Sequence, residues 1–386
     1  MMEREPRIVV FGVGGAGTKV VGQLSNLPCT EIIAVDRDRQ GLVSLEGEAT
    51  KILLSDESGS AAGGVLVRKK EDIRTLLIEK DIVFIVQGIG RKTGIEISTE
   101  IAEQARMRGI PCIAVSTFPF SAKKTQSRMA NATLKKLAEL CSSVIIVDNT
   151  SKTLKKDLPM LSVFHMTNQR IAKLIATFVE SICDMTSLGL GINQLASFFE
   201  DNMIFVLEVS RASGLKEAIE KAWVSLPLSI SEVKKLLIMA HTPVELEIPE
   251  LRGLASEMQE RKNIEDISWI NKVTPQDMEH SVTLLAGVRE LPNIITAEEG
   301  DTEQDEEQAE YEDETKDLMS KEVPQALINI DYRPPEPKEN VNELDHLEET
   351  NSEEEIASEL SGFPLFKRKG QKKLNEYTDL DDIDYI

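Results

Sequence analysis

The chain has few cysteines for its 386 residues: Cys29, Cys112, Cys141 and Cys183, with no Cys-x-x-Cys pair. That argues against a thiolate zinc cluster or a disulfide framework and fits a reducing compartment, the cytoplasm. Long apolar runs are missing too. The runs present are short, such as Ile82–Val86, far from the ~20 residues of a membrane-spanning helix. The opening MMEREPRIVV has no apolar signal region, so nothing in it suggests export. A basic surplus is also absent. The net charge is −22, and residues 297–386 hold 29 acidic and 9 basic side chains, against 37 and 35 in residues 1–296. The acidity belongs to a tail and the body is almost neutral. No basic face is implied, so nucleic acid is not an expected partner.

What is present is an alternation of strand and helix patterns. Apolar runs at Arg7–Phe11, Ile32–Val35, Lys51–Leu54, Ile82–Val86, Pro111–Ser116 and Val144–Val147 read as strands. Helical segments at Thr18–Leu27, Lys69–Ile78, Ile95–Arg108 and Arg128–Cys141 lie between most of them. Near-continuous apolar strands alternating with helices imply an α/β fold with a parallel sheet covered on both faces. Phe164, Ile171, Leu174, Ile175, Phe178, Val179 and Ile182 then form one stripe of a long central helix. A smaller α+β second domain follows. The expected division is a nucleotide-binding domain over 1–162, the helix over 163–188, the second domain over 189–295, an acidic linker over 296–374 and a terminal peptide over 375–386. Residues 298–317 hold twelve acids and one lysine. Such a segment cannot bury enough apolar area to offset its ordering entropy, so the tail is expected to be disordered.

Three small-residue segments carry the chemistry. Gly12-Val13-Gly14-Gly15-Ala16-Gly17 sits between a strand and a helix. Glycines let backbone amides approach an anion, and the helix N-terminus adds partial positive charge. The alternative is a tight turn with no ligand. The segment also satisfies G-x-G-x-x-G, with Asp36 at the end of the next strand, the fingerprint of a dinucleotide fold. On that segment alone an NAD-dependent oxidoreductase of Rossmann type would lead. No histidine supports it, since His165, His241 and His280 lie in no catalytic context. Gly59–Gly64 and Gly88–Gly94 read as two further glycine loops, and Arg91 and Lys92 add charge to the last. A dinucleotide needs one such loop; three suggest a di- or triphosphate held from several sides.

The order of these segments resembles the FtsZ branch of the tubulin superfamily, prokaryotic GTP-dependent cytoskeletal proteins of cell division. The resemblance covers Arg7 to Gly287. It rests on eight segments in order: GVGGAG (12–17), AVDRDRQ (34–40), AAGG (61–64), GIGRKTG (88–94), STFPF (116–120), VDN (147–149), FHMTN (164–168) and RASG (211–214). The resemblance implies that Gly14, Gly15, Ala16, Gly17 and Thr18, with Ala62, Gly63, Gly64, Gly90, Arg91, Lys92, Thr93 and Gly94, surround the phosphates of GTP or GDP. Mg2+ is the metal that would accompany them. It puts Asn149 at the ribose, and Phe164 and Asn168 at the guanine. It also implies filaments, formed with itself or with a conventional FtsZ.

Departures from the pattern set the expected activity. The family hydrolyses GTP when a loop after the central helix, N-x-D-F-x-D, brings carboxylates to the next subunit's nucleotide. Here that loop is Gly189-Leu190-Gly191-Ile192-Asn193-Gln194, with Gly191 and Gln194 at the acidic positions. A glycine cannot polarise water and a glutamine amide is no base. Thr18 replaces an Asn, Lys123 and Lys124 replace a Glu-Gly pair, and Ser127 replaces an Arg, with Arg128 beside it. Weak or absent hydrolysis is the expectation. The end of the chain, 375–386, mixes acids with Leu380, Ile383, Tyr385 and Ile386. It is read as a docking peptide for a membrane adaptor at the division site or inner membrane surface.

Overall fold

A computed structural model describes residues 4–289 other than 56–58, 62–63, 90–91, 119–123, 148–159, 187, 201 and 227–232, with backbone only at 59–61, 70–71, 92–93, 124–129 and 160. The acidic linker and the terminal peptide lie outside the described residues.

The described part is one twelve-stranded sheet with helices on its faces. The first half runs β1 (Ile8–Val13), α1 (Gly14–Val21), β2 (Thr30–Asp36), α2 (Arg39–Val43), β3 (Thr50–Leu54), β4 (Gly59–Ala61), β5 (Val65–Arg68), a 3-10 helix (Lys70–Leu77), β6 (Ile82–Gly88), α3 (Lys92–Met107), β7 (Cys112–Thr117), α4 (Lys124–Leu140) and β8 (Ser143–Val147). The second half runs α5 (Met160–Ile182), α6 (Ile192–Phe198), β9 (Met203–Ala212), α7 (Leu215–Ser225), β10 (Lys235–Thr242), α8 (Ile248–Lys262), β11 (Asp266–Val273) and β12 (His280–Val288). The strand order is 11-10-12-9-8-7-6-1-2-3-5-4.

From β5 to β9 every pairing is parallel, so the carboxyl ends of β1, β2, β3, β6, β7 and β8 share one edge. The order reverses between β1 and β6, the switch point where open α/β sheets hold ligands. The strands are apolar throughout because both faces are covered. On β1, Ile8 and Val10 enter a core with α1 and α5, while Val9, Phe11 and Val13 enter the core under α3 and α4. A third core lies between β9, β10, β12 and helices α7 and α8. The sheet continues into the second half through the parallel pair β8 and β9, Ser143 opposite Met203 to Ile146 opposite Val206.

Helix α5 supplies the predicted stripe. Ile171, Leu174, Ile175, Phe178, Val179 and Ile182 are buried against the sheet. Phe178 stacks on Phe84 at 5.7 Å and meets Phe199 edge-on at 5.6 Å. Aromatic pairs at such distances add to plain burial.

Four local expectations are corrected. The strand does not break at Gly12: β1 runs to Val13 and α1 begins at Gly14 without a loop. Helix α1 stops at Val21 rather than Leu27, with Gly22 as its C-cap seated close to Leu45 and the Glu46 carbonyl. Gly59–Ala61 is not a loop but the edge strand β4, antiparallel to β5. Lys70–Leu77 is a 3-10 helix rather than an α-helix.

His241 on β10 is buried, with its Nε2 3.2 Å from Thr177 Oγ1 of α5. Burial, then the Lys173 and Lys272 charges, pull its pKa from 6.5 to about 4, with Asp277 opposing. The unfolded chain therefore takes a proton near pH 6.5 that the folded chain refuses until about pH 4. The contribution is intact above pH 6.5 and is lost as pH falls through this window, to about 3 kcal/mol at its lower end. Urea midpoints between pH 7 and pH 4.5 are expected to fall more steeply for the wild type than for His241→Gln. Equal slopes would assign the acid sensitivity to other groups.

Candidate functional site

The site forms where α1 and α3 begin, at the carboxyl ends of β1 and β6. Helix α1 starts directly from its strand because two glycines remove the side chains that would hold it off. A Cβ on Gly12 would lie 2.4 Å from Val21 Cγ2 and 2.5 Å from the Gly17 carbonyl. A Cβ on Gly17 would lie 2.0 Å from the Val86 carbonyl oxygen on β6. Gly14 turns the chain at φ +67, a backbone region that favours glycine.

This close seating brings the first and third glycine segments together. A Cβ on Gly14 would be 3.7 Å from Gly94 Cα, one on Gly88 2.9 Å from Ala16 Cβ, and one on Gly94 3.1 Å from the Gly88 carbonyl. Gly15 has open space where its side chain would be. Two helix N-termini thus meet around bare backbone, an arrangement whose amides and dipoles favour an anion. Thr18 is buried one turn into α1.

Behind the turn lies a polar network that the sequence reading missed. Gln87 is fully buried; Ser98 Oγ donates to its Oε1 at 2.5 Å, and its Nε2 donates to Ser116 Oγ at 3.4 Å. It ties β6, β7 and α3 together beneath Gly94. The signal was one polar residue ending an apolar strand just before a glycine turn. Arg37, in the segment after β2, pairs with Glu96 of α3 at 2.9 Å.

Of the other predicted residues, Gly64 has φ +71 with open space around it. Lys92 and Thr93 open α3. Gly90, Arg91, Ala62, Gly63 and Asn149 lie outside the described residues. Phe164 and Asn168 sit one turn apart on α5, both half-buried. Phe164 thus sits less deeply than the rest of its stripe. Lys123 is outside the described residues, as are the side chains of Lys124, Ser127 and Arg128.

Asp36, the acid on which the dinucleotide alternative depended, is buried. Its Oδ1 accepts from the amides of Arg37 at 2.7 Å and Asp38 at 3.3 Å. The carboxylate is engaged in closing its own loop.

The loop after α5 is a built structure. Leu188 pairs with Asn271 of β11 through two backbone bonds, 3.1 and 2.6 Å. The Leu190 amide donates to Ser181 Oγ at 2.6 Å. Gly191 is the N-cap of α6, and its amide donates to Gln194 Oε1 at 3.0 Å. Both are exposed, and Gln194 has a local task that requires no ligand. Nearby, Asp184 and Glu200 are exposed, and Glu180 is held by Lys272 at 2.5 Å.

Comparison with known proteins bears on the fold that carries this site. Residues 7–153 match the model of the Tubulin/FtsZ family, GTPase domain. Cell division protein FtsZ 2 of Methanocaldococcus jannaschii is 30% identical over 190 residues, 46% of this chain and 50% of that protein. The chain spans about half to three fifths of the length of such curated relatives. An empty FtsZ dimer from M. jannaschii superposes with a TM-score of 0.64 at 20% identity, covering 74% of this chain and 89% of that one. CetZ2 of Haloferax volcanii, a GTPγS-bound protofilament, superposes with a TM-score of 0.57 at 15% identity, covering 74% and 95%. The fold is the α/β tubulin/FtsZ GTPase fold, and the NAD alternative is not favoured.

Proposed function

We propose that this chain, a divergent FtsZ-like protein, binds GTP or GDP and assembles in the cytoplasm into filaments, with itself or with a conventional FtsZ. The junction of Gly14 with Gly94 at the switch point of the sheet carries the reading. It aims two helix N-termini at one place, which suits a polyphosphate better than a lone anion. In this reading Gly14–Gly17, Gly64 and Gly94 present backbone, Thr18 supports the first turn, and Phe164 and Asn168 meet the base. Ala62, Gly63, Gly90, Arg91, Lys92, Thr93 and Asn149 complete the pocket by resemblance. Among the described residues no group of three His, Cys, Asp or Glu side chains is placed to cage a metal. A Mg2+ would therefore lean on nucleotide phosphates and water. The relatives' dimer and protofilament support assembly. Gly191 and Gln194 support weak or absent hydrolysis, and the 375–386 peptide would recruit a membrane adaptor.

Nucleotide preference tests the reading. GTP or GDP at a hundredfold excess over Kd is expected to stabilise the chain by about 2.7 kcal/mol, and to raise its melting temperature accordingly, while NAD leaves it unchanged. Guanine nucleotide released from freshly purified, denatured protein would agree. A shift with NAD alone would overturn the assignment.

A further inference from the structure

A second cavity, of about 920 Å³, opens between α5, strands β9 and β12, and α7, and the nucleotide reading leaves it unused. Its floor is set by register. Arg211 lies directly opposite Ser281, and Val209 opposite Thr283, on the ladder between β9 and β12. Arg170 and Lys173, three residues apart on α5, face it from the other side.

The charges here are unevenly answered. The buried Glu208 carboxylate faces Arg170. Glu217 holds Lys221 at 2.7 Å. Among the described residues no carboxylate reaches ion-pair distance of Lys173 or Arg211. The hydrogen-bond partner of Lys173 Nζ is Ser281 Oγ, at 3.4 Å. Burial lowers the Lys173 pKa, and the strongest charged neighbour is Arg211, which lowers it further. Asp277 and Glu180 pull the other way, but they already serve Thr274 and Lys272. Glu220, also on the rim, is exposed. Two cations thus share a half-enclosed cleft with the Ser281 and Thr283 hydroxyls and the apolar Val209. An ammonium beside a planar guanidinium fork is the donor set that takes an oxyanion. The volume lies in the range of small-molecule sites.

We propose that this cleft binds a small organic oxyanion, its phosphate or carboxylate bridged by Lys173 and Arg211 and its apolar part laid against Val209, which shares the α5 face of β9 with Arg211. The site shares α5 with the nucleotide reading, but neither Lys173 nor Arg211 belongs to the residues that reading uses.

Isothermal titration of the full chain with phenyl phosphate and with phenylacetate, each in saturating GDP, tests the site and tells the two anion classes apart. Saturable binding of at least one probe is expected. Lys173→Met and Arg211→Gln are each expected to weaken it by about tenfold or more, and Lys173→Arg to retain most of it. Lys173→Met removes a half-buried charge, so its melting temperature should hold or rise; the exposed Arg211 offers a variant that tests the site if Lys173→Met fails to fold. No saturable heat with either probe, or equal affinity in the variants, overturns the proposal.

Discussion

Gly191→Asp combined with Gln194→Asp is expected to raise GTP turnover by the full-length chain about 10²- to 10⁴-fold, from a wild-type rate well below one per second. The range is what a positioned general base contributes. The local structure accepts both changes. Gly191 has φ −63 and ψ 167, ordinary extended backbone, and a Cβ there would meet nothing nearer than Gln194 Oε1 at 3.8 Å. Asp is among the favoured N-cap residues, and an acid in the first turn suits the dipole of α6. The double variant should therefore fold at least as well as the wild type, so its kinetics can be read without a stability correction.

The N-cap also sets a limit on which carboxylate does the work. An Asp at 191 is drawn to the first amides of α6, whereas one at 194 loses the Gly191 amide contact and is free to face outward. The single Gln194→Asp variant should then recover more activity than Gly191→Asp alone. Phosphate release at several protein concentrations checks this, since a base acting on a neighbour's nucleotide gives a rate per chain that rises with assembly. Inactivity of all three variants while GTP still binds would place the defect in the nucleotide pocket and overturn the account of Gly191 and Gln194.

The parts of the molecule that were legible beforehand were those fixed by burial on two faces. Ile82–Val86 and Val144–Val147 could only be inner strands, because every residue in them is apolar. The α5 stripe was equally plain. Where partner choice decides the structure, composition misled. Gly-Ser-Ala at 59–61 has poor strand propensity and becomes β4 only because β5 offers it an edge. The three polar residues Arg37–Arg39 hide α2, which depends on Asp38 accepting the Gln40 amide at 2.9 Å. At the site, the glycines were visible but their tasks were not. Gly12 and Gly17 are needed for helix-to-strand contact and Gly14 for its φ, which leaves Gly15 as the glycine with the clearest path to a ligand. The Gln87 network was invisible because it depends on register between β6 and β7, Gln87 opposite Ser116.

Gly17→Ala is accordingly the substitution expected to harm the fold most, by about 3 kcal/mol or more. Its Cβ would sit 2.0 Å from the Val86 carbonyl oxygen and 3.0 Å from the Gly12 carbonyl carbon. Both obstacles are backbone in a central part of the sheet, so no side chain can swing aside. Relief requires α1 to lift off β6. That movement separates Gly14 from Gly94 and Ala16 from Gly88, so nucleotide affinity should fall together with stability. Gly15→Ala is the matched control. It lies two residues away in the same helix, has nothing within 4 Å of its Cβ, and replaces a poor helix former with the best one. Its fold should be unchanged or slightly firmer. Denaturant midpoints and guanine-nucleotide titrations of the two variants separate packing from ligand contact: loss of affinity in Gly15→Ala at full stability marks a residue that touches the ligand, and loss of both in Gly17→Ala marks one that seats the helix. A Gly17→Ala protein as stable as the wild type would mean that α1 does not rest on β6, and the juxtaposition of the two glycine segments would go with it.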